Sequence, residues 1–303
     1  MTTDLPAISL VAVPGRRRQT LEIAREIERR GFSGIYMPSR WSNMAQCTAL
    51  ALATEHIRFG TAIAPIYAET TEEFAMAAAY IHEISGGRFR FGIGVAHGPT
   101  HLRLGITAGK PLADIRAFVA KLKSFEGIGT LPPIVLAALR KGMVALAPEI
   151  AEGVLFANAS LSHLPQSLSA LSLATRSDPD FLIGNMLPVC VTDDESAALA
   201  LHRHHLVRYT LLPNYRNYWK EAGYTDEINA VERAIAENRR DDIPKYLTDR
   251  WVADNTLYGP ATKVRDRLAE WHAAGLNTAV LVPSSVNGDQ LIALQEIFAA
   301  FSA

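Results

Sequence analysis

A chain of 303 residues, 49% hydrophobic and 20% charged, is too long for a small sandwich and long enough to bury a sizeable core. Its 30 Lys and Arg stand against 31 Asp and Glu, a net charge of -1, which argues against nucleic acid or an anionic membrane surface and for a small-molecule partner. Met1 to Pro6 lack a basic stretch followed by an apolar run, no apolar run is bilayer-length, and Cys47 and Cys190 lie far apart. A cytoplasmic protein with two free thiols is expected, without a disulfide framework or a cysteine-based metal knuckle.

Along the chain, short β-branched or apolar runs alternate with amphipathic stretches, the order that a parallel sheet with crossover helices requires. The first strand is read at Ile8–Val13 and the first helix at Thr20–Arg30, where Leu21, Ala24, Ile27 and Glu28 recur at helical spacing before the stop at Gly31. Strands at Gly34–Met37 and Ile57–Ile63 flank a helix at Met44–Thr54. A helix at Thr71–Ile84 opens with Thr70 and Thr71 before Glu72 and Glu73, a capping pattern that suits the helix dipole. Further strands follow at Phe89–Val95, Ile134–Ala137, Gly153–Phe156, Met186–Val191 and Thr278–Val282, and eight strands in all suggest closure. Tyr209–Asp254 breaks the rhythm as a helical excursion, and Gly259-Pro260 opens another amphipathic helix through Ala274. No linker or internal repeat divides the chain, so one domain spanning 1–303 is expected.

Four groups of residues invite chemistry. In "GRFRFGIGVAHGP" a strand runs into a glycine-rich end where a ligand could approach the backbone. As a dinucleotide fingerprint it fails, because His97 takes the third glycine's place and the next helical pattern begins near Leu112. His97 is the ionisable candidate for acid–base work, set against a simpler role hydrogen-bonding its own loop, and His101 is a weaker one. Leu139, Arg140, Lys141 and Gly142 lead into a helix through about Ile150, so backbone N–H groups and two cations converge where an anion fits; solvated loop charges are the plainer alternative. In "FGTAIAPIY" the small residues Gly60, Thr61, Ala62 and Ala64 leave room for a planar ring, or for tight barrel packing. His202, His204 and His205 lack a carboxylate at a metal-binding spacing, and no G-x-S-x-G elbow supports hydrolysis.

Two ordered motifs, "HEISGGRFRFGIGVAHGPTHLRLGI" and "PPIVLAALRKGMVALAPEIAEGVL", resemble the luciferase-like, F420-dependent oxidoreductases, with weaker agreement in "RRGFSGIYMPS", "TEHIRFGTAIAPIY", "VTDDESAALA" and "YGPATKVRDRLAEWHAAGLNTAVLVP". The resemblance implies an α/β fold, the (β/α)8 TIM barrel, with a helical insertion before the last strand and its site at the strand C-termini. It implies the deazaflavin coenzyme F420, with FMN as the alternative. The cofactor contacts it implies are Ser39, Arg40, Thr61, Ala62, Ile63, Ala64, Gly94, Val95, Ala96, His97, Gly98, Ala138, Leu139, Arg140, Lys141 and Gly142, and His97 is the catalytic candidate. A bulged, strained third strand, often with a non-prolyl cis peptide, is implied beneath the ring.

Two departures bear on activity. Relatives often end the second strand with an acid and a histidine, where this chain reads Pro38, Ser39, Arg40, Trp41. Arg40 stays protonated and could hold an anion but not donate a proton. The passage from Ile106 to Pro132 is shorter than in relatives and leaves little chain for a lid. The expected function is therefore an F420-dependent oxidoreductase on a small organic substrate, with an FMN-dependent monooxygenase or a non-catalytic flavin-binding barrel as alternatives; a homodimer stays open.

Overall fold

The computed structural model describes residues 5–39 and 42–302. Strands β1 (Ala7–Ser9), β2 (Gly34–Met37), β3 (Arg58–Pro65), β4 (Phe89–Gly94), β5 (Ile134–Ala137) and β6 (Gly153–Ala157) alternate with helices α1 (Arg17–Arg29), α2 (Asn43–Ala53), α3 (Thr71–Ile84), α4 (Gly98–Leu104), α5 (Pro111–Leu122) and α6 (Lys141–Ile150). The chain continues through α7 (Leu164–Leu168), α8 (Leu173–Ser177), β7 (Leu182–Val191), α9 (Glu195–Thr210), α10 (Pro213–Glu221), α11 (Thr225–Ala236), α12 (Asp249–Asn255), β8 (Leu257–Gly259), α13 (Ala261–Ala273), β9 (Thr278–Pro283) and α14 (Gln290–Ala300). Of the nine strands among the described residues, eight close into the (β/α)8 barrel, while β8 pairs alongside β7 at Val189 to Val191, outside the ring.

The chain divides into two compact units, Met1–Phe156 with Ala170–Gly184, and Ala157–Ser169 with Asn185–Ala303. In the first, β1 to β6 pair in sequence order and each is parallel to the next. Phe59, Phe89 and Phe91 are fully buried, with Phe74 packed against both Phe91 and Phe118. Arg88 ties the start of β4 to the end of α2, its guanidinium donating to the carbonyls of Ala51 (2.8 Å) and Thr54 (2.9 Å), which a helix C-terminus leaves without partners.

The second unit holds the helical stretch after β7. Tyr215, Trp219, Trp251 and Tyr224 form a chain of ring contacts, with Trp219 and Trp251 edge-on at 4.9 Å. Asn255 organises it: Oδ1 accepts from Trp219 Nε1 and Ser160 Oγ, both at 2.9 Å, and Nδ2 donates to Trp251 O at 2.7 Å. The aromatic composition of Tyr209–Asp254 is thus a second apolar nucleus.

Most expected elements fall within a few residues of their sequence positions. Thr71–Ile84 is the helix read from the sequence, and Thr70 Oγ1 accepts from Glu73 N at 3.1 Å. The first strand stops at Ser9 rather than Val13, and β7 begins at Leu182 rather than Met186, because Gly184, Asn185 and Pro188 disguise a fully buried run. The helix expected near Leu112 is α5, but α4 opens before it at Gly98; α4 buries no residue, so apolar spacing could not reveal it, and Pro99 in its first turn is its start signal.

Cys47 and Cys190 are both free and buried, and desolvation pushes both thiols up, Cys190 to about 11. His202 is fully buried, its Nε2 3.2 Å from Leu257 O, and a carbonyl can only accept, so Nε2 carries the proton. Among the described residues no group of three His, Cys, Asp or Glu side chains could hold a metal ion, and no helix is long and apolar enough to cross a membrane.

Desolvation lowers the His202 pKa from 6.5 to about 3. The unfolded chain takes up this proton before the folded chain does, so the stability that neutral His202 contributes is present above pH 6.5 and lost as pH falls toward 3. The slope is about 1.4 kcal/mol per pH unit within that window. Urea unfolding at pH 7 and pH 5 is expected to show wild type losing about 2 kcal/mol more than His202→Gln; equal losses would remove His202 as the cause.

Candidate active site

The parallel pairing of β2 to β5 places their C-terminal ends along one edge of the first unit. Met37 is level with Thr61, Pro65 with Gly94, and Ile93 with Leu136. The expected site residues on β3, β4 and β5 are therefore neighbours by register. Between Thr61 and Ala64 the β3–β4 register shifts, so the expected bulge is present. The expected cis peptide is not: every peptide bond among the described residues is trans. Asn43 of α2 steadies the bulge by donating from Nδ2 to Ile63 O at 3.2 Å.

Thr61, Ala62 and Ala64 are buried and Ile63 half-buried. The Thr61 hydroxyl donates to Gly92 O at 2.7 Å, so it serves the barrel wall. Tight packing also explains two glycines read as room for a ligand. A Cβ on Gly92 would lie 2.0 Å from Thr61 O, and one on Gly94 3.0 Å from Ala137 Cβ, so the neighbouring strands occupy that space. Gly98 has nothing within 4 Å of an added Cβ and is exposed.

After β4 the chain turns through Val95, Ala96 and His97, all half-buried, with Ala96 in the left-handed region at φ 58°. This is an uncommon conformation for a residue bearing a Cβ, held here between β4 and the first turn of α4. Desolvation lowers the His97 pKa, and His101 lowers it further by charge repulsion, so His97 stays neutral near pH 7. A neutral imidazole can accept a proton.

At the next strand, Ala138 and Leu139 are buried behind β5, and Ala138 N donates to Leu155 O at 3.1 Å. Arg140 is the N-cap of α6 and offers no side-chain cap; Lys141 and Gly142 lie in its first turn rather than ahead of it. Arg140, Lys141 and Gly142 are exposed. The backbone N–H groups of a helix start and two cations thus share one surface, an arrangement that suits an anionic group. Ser39 is exposed just beyond β2. Arg40 and Trp41 lie outside the described residues.

Residues 6–278 match the family model of the luciferase-like monooxygenases. The chain belongs to that family. It is an enzyme of the luciferase-like oxidoreductases. This luciferase-like chain is 28% identical to Rv3520c of Mycobacterium tuberculosis, whose name assigns it provisionally to the coenzyme F420-dependent oxidoreductases; the match covers 87% of this chain and 90% of the relative. It is also 28% identical to the 5,10-methylenetetrahydromethanopterin reductase of Archaeoglobus fulgidus, over 94% of this chain and 95% of that one. Its fold resembles the solved coenzyme F420-dependent tetrahydromethanopterin reductase of Methanopyrus kandleri, with a TM-score of 0.74, 16% identity and 97% of each chain covered.

Beside the Val95–His97 turn lie two residues, Tyr67 and Asp114, that the sequence did not single out. Tyr67, just after β3, donates from its hydroxyl to Asp114 Oδ2 at 2.5 Å, and its ring stands edge-on to His101 with centroids 5.4 Å apart. His101 in turn bonds through Nε2 to Val95 O at 2.6 Å. No motif links positions 67, 101 and 114; the fold brings the loop after β3, α4 and α5 together.

Proposed function

We propose that the chain works as one luciferase-like barrel domain that binds coenzyme F420 and passes a hydride between it and a small organic substrate. The observation that carries this reading is the α6 start, where Arg140 and Lys141 are exposed beside first-turn backbone N–H groups that the Arg140 side chain does not cap. A cofactor phosphate fits those donors, and the buried small residues of the β3 bulge suit a flat ring. The named F420 enzymes among the relatives support the same choice. When bound, the deazaflavin supplies the redox step. The protein's own part is to orient the ring over Thr61 to Ala64 and to hold a neutral imidazole at His97, which takes a proton from the substrate or returns it.

Replacing Arg140 by alanine is expected to weaken F420 binding by about tenfold or more, the equivalent of roughly 1.5–3 kcal/mol for a charged hydrogen bond. Lys141→Ala is expected to do less, and the double variant to keep part of the affinity through the helix N-terminus. Titration of F420 into folded wild type and variants at fixed ionic strength checks this. Unchanged affinity in the double variant would move the phosphate elsewhere. Turnover is read as loss of F420 absorbance against a panel of alcohols, and a preparation that turns over only with reduced FMN and dioxygen would replace this reading with the monooxygenase one.

A further inference from the structure

Four segments of the first unit meet beside His97: the loop after β3, the end of β4, helix α4 and helix α5. The contacts between them form a continuous chain. Asp114 Oδ2 accepts both the Tyr67 hydroxyl, at 2.5 Å, and Gly109 N, at 2.8 Å. Gly109 approaches so closely that an added Cβ would lie 2.6 Å from Asp114 Oδ1, so the carboxylate is seated against backbone. The Tyr67 ring stands at 88° to the His101 ring, with centroids 5.4 Å apart, a favoured aromatic geometry. His101 Nε2 lies 2.6 Å from Val95 O, and because the carbonyl only accepts, the proton sits on Nε2 and one tautomer is selected. Ile66 N donates to Gly94 O at 3.0 Å, which joins the Tyr67 loop to the end of β4 directly.

We propose that Tyr67 and Asp114 are positioning residues that brace His101 against the Val95 carbonyl and so hold the Val95–His97 turn in its reactive place. The left-handed Ala96 in that turn is what needs bracing, since its backbone conformation is held only by what surrounds it. Asp114 fixes the phenol, the phenol's ring fixes the imidazole edge, and the imidazole fixes the carbonyl one residue before Ala96. Burial first, and then the Asp114 bond and charge, push the Tyr67 phenol above its ordinary value, so it remains a protonated donor. The consequence for turnover rests on His97 as the proton acceptor; the bracing itself does not.

Nitrogen-15 NMR of the histidine side chains tests the bracing without cofactor, and steady-state kinetics with F420 tests its consequence. In wild type, His101 is expected to show the fixed pair of shifts of an Nε2–H imidazole. Tyr67→Phe and Asp114→Ala are expected to collapse that pair toward tautomer averaging while the His202 signals stay in place, which excludes general unfolding. Asp114→Asn keeps an acceptor for the phenol and is expected to rescue the fixed pair. In the two disrupted variants kcat is expected to fall roughly tenfold to hundredfold, the scale of an ångström misplacement. His101 shifts that are the same in all four proteins would overturn the proposal, as would a collapsed pair with unaltered kcat. If instead F420 supports no turnover in wild type while the shifts collapse as stated, the proposed function fails and the bracing stands.

Discussion

Gly92→Ala is expected to destabilise the protein by more than about 3 kcal/mol, beyond the usual range for an overpacked core position. The added Cβ would lie 2.0 Å from Thr61 O and 2.7 Å from Ala62 O, and both are backbone atoms of the adjoining strand. No rotamer change relieves that contact; β3 and β4 have to separate where their register shifts. Gly98→Ala is the matched control, since nothing lies within 4 Å of its added Cβ. It is expected to stay within about 1 kcal/mol of wild type, on the stable side, because alanine suits a helical position better than glycine. Denaturant midpoints measure both, and a Gly92→Ala protein within 1 kcal/mol of wild type would show that β4 tolerates displacement.

His97→Gln is expected to lower kcat with F420 by about 10²- to 10⁴-fold, the range for losing a general acid–base group. Because desolvation and the neighbouring His101 both lower the His97 pKa, its neutral form persists below the usual histidine range. For a proton acceptor the wild-type rate is then level through neutral pH and falls on acidification, once His97 protonates. That acid limb is expected to vanish in His97→Gln. A variant with wild-type kcat and the same acid limb would assign the proton to another group.

The sequence and the structure agree best where periodicity is strict. Val135 and Leu136 of β5 and the alternating Phe89, Phe91 and Ile93 of β4 sit in the wall because both faces of a barrel strand are covered. Agreement weakens where burial does not shape the sequence: α4 buries nothing, and β7 carries Gly184, Asn185 and Pro188 inside a fully buried run. The α6 start was legible because N–H groups and cations are local in sequence. The Asp114–Tyr67–His101 chain was not, because its members come from three segments that only the fold brings together. Glycine carried the most misleading signal. Gly92 reads equally well as ligand clearance or as strand clearance, and the carbonyls of Thr61 and Ala62 decide for the second.

The central claim is that this luciferase-like barrel is built around F420. Calorimetric titration of F420 and FMN into the same preparation tests it most directly. The account predicts saturable one-site binding of F420, weakened in Arg140→Ala, and FMN binding at least tenfold weaker. Tighter binding of FMN, or no binding of either, would contradict it.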